Sequence, residues 1–212
     1  MTPIEMLDVF DEQMGWTGTD SRDNVHRKGL WHQTFHCWVI HPWEGEGGSL
    51  LFQLRHPDKE TYPGLLDISC AGHLQAGEAV RDGVRELKEE LGLDVPFEEL
   101  IFCGMNAEEV VLSDTYIDRE FNHVFIYKTD KPLSEYHFQR TEISGLYLVK
   151  IKDYRDLLNG DIESVWVEGI ASDESGQVVR PDQRRIQRDD FTPNSDDYYR
   201  ILFDFLEKEQ LL

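Results

Sequence analysis

Residues Gly72 to Leu93 read GHLQAGEAVRDGVRELKEELGL, and no other stretch restricts the fold so tightly. Val80, Val84, Leu87 and Leu91 recur at spacings of four, three and four. That period predicts a helix over 79–91 with one apolar stripe, which must lie against a core. Gly92 follows as a C-terminal stop. Glu86, Glu89 and Glu90 stand at i, i+3 and i+4 and so share one helical face. Three carboxylates crowded together repel one another, and a bound Mg²⁺ removes the conflict because it prefers carboxylate oxygens. Arg85, seven residues after Glu78, is placed to reach back to that carboxylate, and Gly72 and Gly77 permit a tight loop between strand and helix. The plain alternative is a solvated acidic face, and the string Glu-Leu-Lys-Glu-Glu by itself favours it.

Around this helix, short apolar runs alternate with turns. Leu7 to Glu12 reads as an edge strand inside a polar stretch over 1–34. Phe35 to His41 and Leu50 to Arg55 read as a hairpin joined by a turn over 42–49. Leu100 to Cys103, Glu109 to Leu112, Glu120 to Tyr127 and Gly145 to Val149 read as further strands, and Lys152 to Leu158 as a short helix. Residues 165–190 are polar, a hairpin or excursion, and Asp196 to Glu209 reads as a closing amphipathic helix. The mixed order predicts an α/β sandwich. A length of 212 residues suits one domain, with a core over about 30–160, an N-terminal extension over 1–29 and a C-terminal hairpin and helix over 161–212.

Asp and Glu number 42 against 21 Lys and Arg, a net charge of −21. That argues against non-specific binding of nucleic acid or of anionic membranes. It also opposes an anionic substrate unless a divalent cation offsets the repulsion. No apolar run approaches the roughly 20 residues of a membrane span, and the N-terminus lacks the basic start and apolar stretch of a secretory signal. Cys37, Cys70 and Cys103 are odd in number and form no CxxC pair, so free thiols and a cytoplasmic location are expected.

The Gly72–Leu93 string resembles the Nudix box, G-x5-E-x7-R-E-U-x-E-E-x-G-U with U aliphatic. Gly72, Glu78, Arg85, Glu86, Leu87, Glu89, Glu90, Gly92 and Leu93 match in type. Six residues rather than seven separate Glu78 from Arg85, and the missing one falls where the loop enters the helix. The resemblance implies a Nudix-type α/β/α sandwich with a mixed central sheet, and attack of a metal-activated water on a phosphoryl centre.

The flanks resemble the branch that includes isopentenyl-diphosphate isomerase. The matching pieces are Val25-His26-Arg27, His32, Phe35 with Trp38, Arg55 with Lys59, Pro63-Gly64, Ala71-Gly72-His73 and Asp118 to Phe125, within about 8–160. The likeness implies a second divalent metal held by His26, His32, His73, Asp118 and Glu120, a donor set that suits a transition metal. It also places Arg55 and Lys59 toward the diphosphate. Two positions depart from the isomerase. Its proton-transferring cysteine, directly before Gly-His, is Ala71 here, and Cys70 is one residue earlier, which on a strand is the opposite face. Where it keeps an arginine for the diphosphate, this chain has Glu86.

The expectation is therefore a hydrolase of a nucleotide or other organic diphosphate, dependent on Mg²⁺ or Mn²⁺. Glu86 and Glu90, with Glu89, hold the metal; Glu89 or Glu120 serves as general base; Arg55 and Lys59 bind phosphate; Gly72, Glu78 and Arg85 shape the box. An isomerase-like enzyme and a non-catalytic binding module are the alternatives, and a homodimer stays open. Among the aromatics, Trp31, Trp38 and Tyr62 can stack on a base or pack an isoprenoid, with core packing the expected fate of Trp38.

Overall fold

The run His32–Pro42 buries both of its faces: Phe35, Cys37 and Val39 on one side, and Trp38 and Ile40 on the other, have no exposure. A strand covered on both sides belongs in the middle of a sheet, and the computed structural model of the chain has it there. The structure describes residues 4–42, 47–173, 176 and 178–211. The expected turn over 42–49 falls partly outside them, at 43–46.

In chain order, β1 (Met6–Phe10) and β2 (Trp16–Ser21) form a separate antiparallel pair, and helix α1 (Arg22–Lys28) follows. Strands β3 (His32–Pro42) and β4 (Gly48–Arg55) pair only where Ile40 meets Leu50 and beyond. Where they splay apart, the short β5 (Leu66–Asp67) pairs with β4 and β6 (Cys70–His73) pairs with β3. Then come α2 (Arg85–Leu91), β7 (Ile101–Ser113), β8 (Tyr116–Lys128), β9 (Ile143–Lys150), α3 (Ile151–Asn159), β10 (Val165–Ser172), β11 (Val179–Ile186) and α4 (Asp196–Lys208). The main sheet runs β11-β10-β9-β4-β3-β8-β7, with β3 and β8 parallel and the other neighbours antiparallel. Helix α2 buries Leu87 and Leu91 on one face of the sheet, while α3 and α4 bury Tyr154, Leu157, Tyr198 and Leu202 on the other. This is the expected α/β/α sandwich with a mixed sheet.

Some local expectations are corrected. The stretches read as two strands, 100–103 and 109–112, are the single strand β7, and β8 begins four residues before Glu120, at Tyr116. Asn106, Glu108, Asp118, Glu120 and Asn122 look like breaks in an apolar pattern, yet they lie on strands whose face lines a cavity rather than a core. The helix expected over 79–91 is a 3₁₀ segment over Val80–Val84 that leads into α2. A 3₁₀ segment rises about 2.0 Å per residue against about 1.5 Å in an α-helix, so it makes up for the residue missing between Glu78 and Arg85. The expected hairpin over 165–190 forms as β10–β11, and because β10 pairs with β9 it carries the sheet past 160, to Ile186. Helix α1 was not expected: it is seven residues long and buries only Val25 and His26, too little for a readable apolar period.

Candidate functional site

Strand register assembles the site. Residues directly opposite one another on neighbouring strands face the same way. In β3, His32 lies opposite Glu120 of β8; Thr34 lies opposite Asn122 of β8 and His73 of β6; His36 lies opposite Ala71 of β6. Thr34, His36, Ala71, His73, Glu120 and Asn122 line a cavity of about 440 Å³, which α2 borders over the edge of β6, and His32 lies fully buried on the same face of β3.

Gly72 is what lets α2 reach that cavity. A Cβ there would stand 2.2 Å from Cδ of Glu86, so the acidic side chain takes the space that any other residue would fill. Glu90 accepts a hydrogen bond from the Ala71 backbone N–H at 3.3 Å. Arg85 braces the loop with the contact expected from the sequence, here a two-bond fork: its Nε donates to Glu78 Oε1 at 2.7 Å and its Nη2 to Glu78 Oε2 at 3.0 Å. The same guanidinium reaches Glu86 at 2.5 Å, Glu89 at 3.3 Å and the His73 carbonyl at 3.1 Å. Burial, against the partial relief that Arg85 gives, pushes the Glu86 carboxyl up to about 7. Burial and then repulsion from Glu86 push Glu90 up to about 8. Glu89, with its side chain 55% exposed, stands at the cavity rim. A buried and a half-buried carboxylate that repel each other are costly when both are charged, and a bound divalent cation is the chemistry that relieves the cost.

The five residues of the expected second centre converge. His26 Nε2 lies 3.5 Å and His32 Nε2 lies 3.6 Å from Asp118 Oδ1; His32 Nε2 and His73 Nε2 lie 3.6 and 3.7 Å from Glu120 Oε1. His26, His32 and His73 form one set, and His32, Asp118 and Glu120 another, with donor atoms in each within 4.8 Å of one another. Nδ1 of His26 and of His32 bonds to the carbonyls of Arg22 and Leu30, at 2.9 and 3.1 Å, so both Nε2 atoms point inward. Those two Nε2 atoms and Asp118 Oδ1 are buried with no hydrogen-bond partner among the described residues. Donors bound to one ion at roughly 2.1 Å sit roughly 3.0–3.5 Å apart, close to the spacing here, so the residues fit a divalent metal. Burial works against the charged form of His32, but Glu120 and Asp118 outweigh it and its pKa is raised. Burial, then the neighbouring histidines and Arg22, hold His73 well below its usual value.

The expected cations line the cavity but are already paired. Arg55 bonds to Asp67 at 2.6 Å and to Thr61, and Lys59 bonds to Glu142 at 2.9 Å. Arg22, which no motif or period singles out, also faces the cavity from α1. Among the described residues its one ion-pair contact is Glu5 at 3.7 Å, and its Nε is buried without a hydrogen-bond partner. It keeps more donor capacity for an anion than either expected residue. Trp38 is fully buried in the core, Trp31 stacks on Phe121 and Tyr62 lines the cavity.

Ala71 lines the cavity, whereas Cys70 is packed in the opposite core with Phe35 and Leu87. Burial, and then Glu90, push the Cys70 thiol well above its ordinary value, so it stays protonated. Cys70→Ser is therefore expected to keep at least half of wild-type turnover while losing about 1–2 kcal/mol of stability to a buried hydroxyl. Steady-state rates and a urea melt check both parts.

Comparisons with known proteins agree with this fold. The NUDIX domain matches residues 32–165. An uncharacterized Nudix hydrolase of Clostridium acetobutylicum is 43% identical over 198 residues, 93% of this chain and 95% of that protein. An isopentenyl-diphosphate Delta-isomerase of Photorhabdus laumondii is 31% identical over 185 residues, 86% of this chain and 99% of that protein. The crystal structure of DR0079 from Deinococcus radiodurans matches with a TM-score of 0.53 at 22% identity, over 74% of this chain and 90% of that one, a likeness of fold alone. The chain belongs to the Nudix family. It is a Nudix-type hydrolase, of a family that acts on small-molecule diphosphates and generally uses divalent metals. Among the described residues no helix is long and apolar enough to cross a membrane.

Proposed function

We propose that this chain, acting as one domain, is a divalent-cation-dependent hydrolase that cleaves a diphosphate bond in an organic diphosphate. The observation that carries this is the complete Glu86, Glu89 and Glu90 set at a cavity whose wall at the isomerase's thiol position is only the methyl of Ala71. Glu86 and Glu90, with Glu89, would hold Mg²⁺ or Mn²⁺, and His26, His32, His73, Asp118 and Glu120 a second divalent ion. Such ions supply charge neutralisation to phosphoryl oxygens and make water a better nucleophile at neutral pH.

The chain's own groups do the rest. Arg22 binds the diphosphate through its free donors. Arg55, fixed by Asp67 and Thr61, and Lys59, fixed by Glu142, add positive potential along the same wall. Glu89 accepts the proton of the attacking water on Oε1, because Oε2 is turned to Arg85; Glu120 is engaged with His32 and His73 and would help to hold the second ion instead. Arg22→Gln is expected to raise KM about tenfold, with a smaller change in kcat, since it removes binding to ground and transition states alike. Initial rates across substrate concentration read that split.

An isomerase-like activity is the second reading, favoured by the five converging residues and by the Photorhabdus relative. A panel of nucleotide and isoprenoid diphosphates with Mg²⁺ or Mn²⁺ separates the two. Phosphate-bond cleavage that stops with a chelator is the expected result, and formation of an isomer without cleavage contradicts it.

A further inference from the structure

His36 is nine-tenths buried, yet it lines the cavity. It shares one face of β3 with His32 and Thr34 on one side and Trp38 on the other. His32 belongs to the histidine cluster and Trp38 to the core, so His36 marks the floor beyond the metal-binding end. Its cross-strand neighbours are Ala71 and Val124, whose side chains make no hydrogen bonds. The imidazole has one hydrogen bond among the described residues, from Nδ1 to the Tyr198 hydroxyl at 3.0 Å. Burial holds the ring neutral, its pKa pushed down to about 4.

Tyr198 is itself held firmly. It has no exposure, and it lies in the first turn of α4, where its backbone N–H donates to the capping Ser195 hydroxyl at 3.3 Å. The Ser195 N–H donates in turn to Glu108 of β7 at 2.9 Å, and Asn106 of β7 reaches the same hydroxyl at 3.2 Å. The ring of His36 is thus oriented by a segment that lies beyond the residues matching the NUDIX domain.

Resting on the hydrolase reading above, we infer that His36, positioned by Tyr198, selects for a hydroxyl-bearing organic group attached to the diphosphate. With Nδ1 engaged, Nε2 is the polar atom left for an occupant of the cavity. A hydrocarbon covering it would leave a buried polar atom without a partner. A hydroxyl both donates and accepts, so it satisfies Nε2 in either tautomer. The small Ala71 side chain beside it leaves room for such a group.

Calorimetric titration tests this with ADP-ribose and isopentenyl diphosphate as probes, with Ca²⁺ replacing Mg²⁺ to slow turnover. Wild-type protein should prefer ADP-ribose. His36→Phe should weaken ADP-ribose at least tenfold and leave isopentenyl diphosphate unchanged or tighter. His36→Gln, which keeps a hydrogen-bonding group, should recover most of the loss, and Tyr198→Phe should cost about threefold. Melting temperatures establish that each variant is folded. Wild type preferring isopentenyl diphosphate, or a folded His36→Phe that binds ADP-ribose as wild type does or loses both probes equally, overturns the inference. Failure of the hydrolase reading is a separate result: wild type that binds ADP-ribose with this preference but never cleaves a diphosphate under Mg²⁺ or Mn²⁺.

Discussion

Glu90→Gln should cut turnover about 1,000-fold, worth ~4 kcal/mol of barrier, and at the same time raise the melting temperature of the metal-free protein. The two effects have one cause. Glu90 is buried beside Glu86, and its carboxyl is pushed from an ordinary 4.5 to about 8. A folded-state pKa above the unfolded one means that the folded state binds the proton more tightly. The stabilising contribution is full below about pH 4.5 and is lost as pH rises through about 8. Glu86, raised to about 7, acts in the same direction. Metal-free wild type should therefore lose stability across that window, and the glutamine variant should lose less of it. Mg²⁺ needs the ionised carboxylates, so it should raise the wild-type melting temperature most at the alkaline end and that of the variant little. Melting curves at several pH values, with and without Mg²⁺, and a rate assay check the whole pattern. Wild-type turnover in a folded Glu90→Gln protein removes this residue from the metal site.

His32→Ala should empty the second centre. His32 has no exposure and belongs to both convergent sets, so its loss leaves each with two donors. Protein purified with Mn²⁺ or Zn²⁺ present should fall from about one bound ion per chain to less than about a tenth, a loss of affinity of about 100-fold or more. Asp118→Asn, which keeps the shape and removes the charge, should show at least a tenfold weaker site. Mg²⁺ binding at Glu86 and Glu90 should survive in both. Elemental analysis and an anomalous-scattering map read the outcome. Unchanged metal content in folded variants would leave the histidines as braces between the N-terminal segment and the box loop.

Much of the site was legible because one stretch carries it. The stripe Val80, Val84, Leu87 and Leu91 packs on the core as its period predicts, and the Arg85 to Glu78 fork forms despite the shortened spacing. The histidine cluster was legible only through resemblance: His26, His32 and His73 lie on three different elements, and tertiary packing rather than spacing brings them together. Other features left no local signal. Arg22 starts a helix too short to show a period. The cavity faces of β7 and β8 are polar, so alternation looks broken where the strands continue. The contact of His36 with Tyr198 joins residues 162 apart and depends on where α4 docks, which no pattern within either segment specifies.

The most direct test of the central claim is turnover in H₂¹⁸O with a diphosphate that the chain consumes. Attack of water on a phosphoryl centre puts one ¹⁸O into a phosphate group of the product, read by mass spectrometry, and the label should vanish when the metal is chelated. Consumption of isopentenyl diphosphate with no ¹⁸O in phosphate, and with solvent deuterium appearing on carbon in D₂O, would contradict hydrolysis and assign this site to isomerisation.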